Sequence, residues 1–248
     1  MRIVERPSPN HNARPGGRPP DMLVLHYTGM PTAAEALNRL CDPAAQVSAH
    51  YTVDEDGTVF AHVPEDRRAW HAGIACWQGE TDVNGVSIGI EIVNPGHEFG
   101  YRPFPESQML AVQALSKSIV DRYRIRPLRV VGHSDVAPER KTDPGELFDW
   151  PMLAAAGVGY WPDAEAVRIR LGPEREADRG SIGRNLERIG YRWPAVQGRA
   201  GATDARGRAA VLAAFQRHFR PASVTGDADP QTAALAAVVA AAAAGRTS

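Results

Sequence analysis

Short apolar runs alternate with helically spaced apolar positions along the first part of this chain. "MLVLHYTG" (22–29) reads as a buried strand closed by Gly29. Behind it Thr32 and Glu35 form a T-x-x-E capping box, and Ala36, Leu37 and Leu40 supply the apolar stripe of a helix. "SAHYTVDEDGTVFAHV" (48–63) alternates on both sides of Asp54–Gly57, the pattern of a hairpin with Gly57 at positive φ. "VSIGIEIV" (86–93) is a mostly apolar strand interrupted by one acid, Glu91. Met109, Val112, Leu115, Ile119 and Tyr123 follow at helical spacing over Ser107–Tyr123, and "LRVVGH" gives a further strand with His133 at its end. The expected class is α/β, with strands central and helices covering them.

The ends of the chain read differently. Residues 1–20 are rich in proline, which predicts an irregular arm lying over the surface. The first folded unit is expected over 21–158, and a shift to proline and charge over 159–180 reads as a linker. Over 181–248, Val211, Leu212, Phe215, His218 and Phe219 share one helix face, and an aspartate cap predicts another helix starting near Pro230. The expectation is a separate bundle of about three short helices.

Composition narrows the function classes. The 248 residues carry a formal net charge of -1, with no block of Lys or Arg, which argues against a protein devoted to nucleic acid or to an anionic membrane surface. The start shows no signal-like apolar run, so a cytoplasmic setting is expected, with periplasmic export by another route as the alternative. "AALAAVVAAAAAG" is too short for a membrane span. Cys41 and Cys76 form no CxxC pair, which predicts buried free thiols rather than a disulfide or a thiolate metal site.

Candidate chemistry gathers at strand ends: His26, Glu91 and the loop from His133 to Asp143. Two imidazoles and one carboxylate suit a catalytic zinc, with a fourth position left for water. In "KTDPG", Pro144 stiffens the backbone and Gly145 permits a tight turn, which aims the Asp143 carboxylate. An acid on an isoleucine-rich strand is costly unless it faces a polar site, so Glu91 is the natural general base. Lys141 offers a cation for an oxyanion, or else a salt bridge to Glu91. Spacing alone leaves a zinc hydrolase and purely structural roles both open.

Taken together, "LVLHYTGM", "VSAHYTVDEDGTVF", "RAWHAG", "SIGIEIVNPGHE" and "VVGHSDVAPERKTDPGELFDW" resemble the zinc-dependent N-acetylmuramoyl-L-alanine amidases of the amidase-2 type, over Ser8 to Gly157. The resemblance implies a central mixed sheet flanked by helices, with zinc on His26, His133 and Asp143, Glu91 as catalytic acid/base and Lys141 as transition-state stabiliser. It further implies that His71 and Arg140 meet the substrate, a peptidoglycan fragment such as an anhydro-muropeptide, while His50 is structural or supports a ligand. His97 is a candidate to line the groove. More loosely, "VLAAFQRHFRPASVTGDADPQTAAL" is similar to a small helical peptidoglycan-binding domain. Two rivals remain: a non-catalytic peptidoglycan recognition module, and a zinc peptidase cutting within the stem peptide.

Overall fold

The computed structural model describes residues 2–171, 179–194 and 201–244. Its strands are β1 (Ile3–Glu5), β2 (His11–Ala13), β3 (Met22–Tyr27), β4 (Tyr51–Val53), β5 (Val59–Ala61), β6 (Arg67–Ala69), β7 (Ser87–Ile92) and β8 (Val130–Gly132). Helices α1 (Ala33–Cys41), α2 (Val83–Val86), α3 (Gly96–Phe99), α4 (Glu106–Tyr123), α5 (His133–Val136) and α6 (Trp150–Ala155) belong with them. After these come α7 (Ala164–Leu171), α8 (Arg179–Ile189), α9 (Gly201–Phe219) and α10 (Pro230–Ala244). Among the described residues, no helix is long and apolar enough to cross a membrane.

One mixed sheet runs β1-β5-β4-β7-β3-β8, antiparallel only between β4 and β5, and β2 pairs with β6 in a separate two-stranded ribbon. The Thr32 half of the capping box forms, since Thr32 accepts from the Glu35 amide ahead of α1, and the expected hairpin is β4–β5 with Gly57 at φ +85°. On β3 and β7 the side chains alternate strictly. Leu23 and Leu25, with Ile88, Ile90 and Ile92, face α4 through Met109, Val112, Leu115 and Ile119. Met22 and Val24 enter the core on the opposite side. On that second side lie His26, Ser87, Gly89 and Glu91, and the register pairs His26 directly with Glu91.

Three expectations are revised. The first twenty residues are stitched into the body rather than draped over it: β1 pairs with β5, β2 with β6, and the buried Arg14 guanidinium donates to the carbonyls of Glu65, Gly85 and Ser87. Proline excludes regular helix there, but it leaves short edge pairings and side-chain donors available. The stretch expected as a linker contains α7, which packs on α10; 172–178 lie outside the described residues. The described part of the tail shares its core with the sheet. Ile182, Leu186, Val211, Phe215, Leu235 and Val239 form one cluster with Met22, Val24, Trp77 and Val131. Helical periodicity identifies an apolar face, but it does not say whether that face meets another helix or a sheet. Cys41 and Cys76 are free thiols, half-buried rather than buried.

Two histidines of the sheet region are locked as neutral rings. The Gly89 amide donates to His50 Nδ1, so the ring carries its proton on Nε2 and donates to the Arg67 carbonyl. His62 donates through Nδ1 to the Arg6 carbonyl and accepts from the Thr52 hydroxyl at Nε2. Burial depresses both, His50 to about 3. The unfolded chain therefore binds more protons than the native one, so their contribution is complete above pH 6.5 and fades as pH falls, for His50 toward about 3. The histidines' contribution to stability is expected to fall as pH drops from 6.5 toward 4, at up to about 1.4 kcal/mol per pH unit for each ring kept neutral. Calorimetry of His50→Gln checks this, since its pH slope should be shallower.

Candidate active site

The carboxyl ends of parallel strands β3, β7 and β8 open onto a cavity of about 400 Å³. That is where ligands of open α/β sheets bind. Tyr27, Trp70, Glu91, His97, Lys141 and Thr142 are among the residues lining it, with His133 and Asp143 at its floor. His26 closes β3 on the face shared with Glu91; His133 follows β8 as the first residue of α5, and Asp143 returns on the loop after it.

Three donor atoms converge there. His26 Nδ1 lies 2.9 Å from His133 Nδ1 and 3.1 Å from Asp143 Oδ2, with 3.0 Å between the latter two. The surrounding hydrogen bonds decide which atoms carry protons. His133 Nε2 is 3.0 Å from the Ala72 carbonyl, which only accepts, so Nε2 donates and Nδ1 presents a lone pair. The Val83 carbonyl likewise fixes a longer chain. Ser87 Oγ donates to it (2.6 Å) and accepts from His71 Nε2 (3.1 Å); His71 Nδ1 therefore accepts from His26 Nε2 (3.0 Å). His26 Nδ1 is left bare. Burial, reinforced by His133 and opposed by Asp143, lowers His26 to about 4, and burial holds His71 well below 6.5, so both rings are neutral at pH 7.

Two imidazole lone pairs and a carboxylate oxygen cannot hydrogen-bond to one another. What they fit is a cation. A tetrahedral ion with bonds of about 2.0–2.1 Å separates its ligand atoms by about 3.3 Å, so the triangle needs to open by only a few tenths of an ångström. Among the described residues, His26, His133 and Asp143 are the group able to hold a metal ion.

A family model described as N-acetylmuramoyl-L-alanine amidase, Amidase_2, matches residues 16–146. The chain belongs to this amidase family. It is 40% identical over 230 residues to N-acetylmuramoyl-L-alanine amidase AmiD of Escherichia coli K12, covering 87% of this chain and 80% of that protein. AmpD of Enterobacter cloacae, a 1,6-anhydro-N-acetylmuramyl-L-alanine amidase, is 37% identical across 60% of this chain and 87% of its own. The solved complex of the E. coli AmiD with anhydro-N-acetylmuramic acid-L-Ala-D-gamma-Glu-L-Lys superposes with a TM-score of 0.79 at 38% identity, covering 92% of this chain and 91% of that one. AmpDH3 of Pseudomonas aeruginosa gives 0.80 at 36%, covering 92% and 94%.

The remaining residues of the amidase's groove divide by what they touch. Among the described residues, Glu91 Oε2 is buried with no hydrogen-bond partner. Burial first, and Asp143 second, raise its carboxyl well above 4.5, against the pull of Lys141. Asp143 is the opposite case: burial alone would push its carboxyl up, but positive charge held among the His133 and His26 nitrogens, the place a cation fills, keeps it well below 3.8. Lys141 lines the groove and makes no ion pair with Glu91 among the described residues, so the salt bridge considered from sequence does not form. His71 and Arg140, expected to meet substrate, both border the cavity. Both His71 nitrogens are engaged with His26 and Ser87, however, and Arg140 Nη2 ties down the loop through the Ala72 and Ile74 carbonyls. On the rim His97 lies against the Tyr27 hydroxyl and Glu146.

Ser87 and Gly89 escaped the sequence reading, although a signal was present. In "SIGIEI" the isoleucines occupy one parity, and Ser87, Gly89 and Glu91 the other. Gly89 matters because a Cβ there would lie 2.5 Å from His71 Cγ; the imidazole rests on bare backbone. Gly89→Ala is therefore expected to push His71 off His26 and weaken metal affinity about 10–100-fold, as loss of a ligand's hydrogen-bond partner does. Competition with a chelator measures it.

Proposed function

We propose that the amidase hydrolyses the amide joining the lactyl group of N-acetylmuramic acid to the L-alanine of a peptidoglycan stem peptide, with zinc held by His26, His133 and Asp143. The observation that carries this reading is the convergence of three buried lone-pair donors beneath an orphaned carboxyl oxygen. Nitrogen and oxygen ligands in a three-residue set suit zinc. Anhydro-muropeptides are the proposed substrate, by analogy with the ligand bound to the E. coli AmiD. A cytoplasmic setting, where imported wall fragments arrive, belongs to the same proposal.

Zinc, when bound, supplies Lewis acidity to the scissile carbonyl and to a water. The chain does the rest. Glu91, aimed into the groove from β7, takes the proton of the attacking water; the C–N bond breaks and Glu91 delivers that proton to the departing L-alanine nitrogen. Lys141 presents a cation to the oxygen that gains charge in between. His71 and Ser87 keep His26 in the tautomer that faces the metal, and Arg140 holds the loop that carries His71.

The test is a defined anhydro-N-acetylmuramyl tripeptide incubated with the zinc-loaded chain and read by mass spectrometry. Free sugar acid and an intact tripeptide beginning with L-alanine are expected. Cleavage inside the tripeptide, or tight binding without cleavage, would overturn the proposal in favour of a peptidase or a recognition module.

A further inference from the structure

The C-terminal helices meet the site at one seam, and the contacts there are polar as well as apolar. Asp135, two residues after His133, is 1% exposed. Its Oδ2 accepts from the Gly132 amide (2.7 Å) and from His218 Nδ1 on α9 (2.7 Å), and its Oδ1 accepts from the Tyr191 hydroxyl beyond α8 (2.5 Å). The preceding α9 residue, Arg217, places Nε 3.6 Å from Glu146 Oε2, an ion pair rather than a hydrogen bond, on the loop just past Asp143. Consecutive residues of one helix thus reach both segments that carry ligands.

A ring stack closes the arrangement. His218 lies parallel to Trp150, with centroids 3.8 Å apart and planes 14° apart, and Phe219 covers it from the other side at 4.1 Å. Trp150 in turn lines the space above Gly132, where a Cβ would sit 3.4 Å from Trp150 Cζ2 and 2.7 Å from Pro144 Cδ. Gly132 immediately precedes His133, and Pro144 immediately follows Asp143.

We propose that the C-terminal helical unit is a brace for the metal centre, with Tyr191 and His218 as positioning residues that hold His133 through Asp135. Apolar burial alone would fasten the tail anywhere on the exposed sheet face. A buried carboxylate demands its donors at fixed points, and two of the three come from the tail. The ligand-bearing turn is thereby registered against α9 to within hydrogen-bond tolerance, which is the precision a metal site needs. Neither residue touches substrate or metal; both act through Asp135.

This inference rests on the metal reading of the site, and the experiment separates the two. Full-length wild type, Tyr191→Phe, His218→Phe and the double variant are titrated with Zn²⁺ against a chromophoric chelator, and with Co²⁺ by visible absorption, well below their melting temperatures. Phe at 218 keeps the stack on Trp150 while removing the donor. The double variant is expected to bind Zn²⁺ about tenfold more weakly or worse, with an altered Co²⁺ band. His218→Gln, which restores an N–H donor, is expected to recover part of the affinity. Wild-type affinity and an unchanged Co²⁺ band in the double variant, even with a lower melting temperature, would reduce the tail to packing and sink the brace. If the double variant does not fold, Tyr191→Phe alone, which loses one hydroxyl, decides by the same two readings. A wild type that binds no Zn²⁺ brings down the metal reading and the brace together.

Discussion

Glu91→Gln is expected to lower kcat by about 10²–10⁴-fold while leaving Zn²⁺ affinity and substrate binding near wild type, because the amide keeps the shape of the carboxyl and loses only its capacity to take a proton. The orphaned, buried Oε2 is the reason for so large an effect: none of the described residues competes with a substrate-side water for it. The pH profile gives a second check. With its carboxyl raised above the ordinary 4.5, Glu91 loads with protons as the solution is acidified, so wild-type activity should fall on the acid side of a midpoint above 4.5. That limb should vanish in the residual activity of the variant. Stability should move the other way. A raised carboxyl means the native state binds the proton more tightly than the unfolded chain, so native stability declines as pH rises from 4.5 through the folded value. Replacing the acid by a neutral amide removes that cost, and the metal-free variant is expected to melt a few degrees above the metal-free wild type at pH 7. An unchanged rate would remove Glu91 from the chemistry.

Asp143→Ala has the larger effect on the metal. It takes away the only anionic member of the triangle and leaves two neutral imidazole lone pairs facing each other at 2.9 Å. Zn²⁺ affinity is expected to fall at least about a thousandfold, and hydrolysis of the muropeptide to the detection limit, with partial recovery at high Zn²⁺. Equilibrium dialysis followed by metal analysis reads the first, product mass the second. A chelator should bring the wild type to the same state, reversibly. Retained hydrolysis in metal-depleted Asp143→Ala would leave the ligand set without a purpose.

How far the sequence disclosed this arrangement depended on the range of each contact. Period-two alternation on β3 and β7 is local, and it put the isoleucines on one face and Glu91 on the other. The grouping of His26, His133 and Asp143 was legible because these residues end strands or sit on a stiffened turn. The relay from His26 through His71 to Ser87 was not, since it joins residues on separate strands and a loop whose alignment exists only after the sheet has formed. Nor was the tie between Asp135 and His218, which are 83 positions apart and belong to stretches that read as different units. Proline in the first twenty residues spoke against regular elements, and said nothing about the edge pairings that three-residue strands make. The same holds for the tail, whose stripes gave helices but not their neighbours.

The core shared by the tail and the sheet has a consequence for synthesis. A nascent chain that has reached Asp143 already contains every proposed ligand, yet the apolar side of the sheet with Met22, Val24 and Val131 is only partly covered until Ile182, Leu186, Phe215 and then Val239 emerge. At ordinary elongation rates the about 75 residues from Asp143 to His218 occupy roughly 4–15 s. During that interval the ribosome carries an amidase sheet with one apolar side still partly wet, a substrate for chaperones before it is an enzyme.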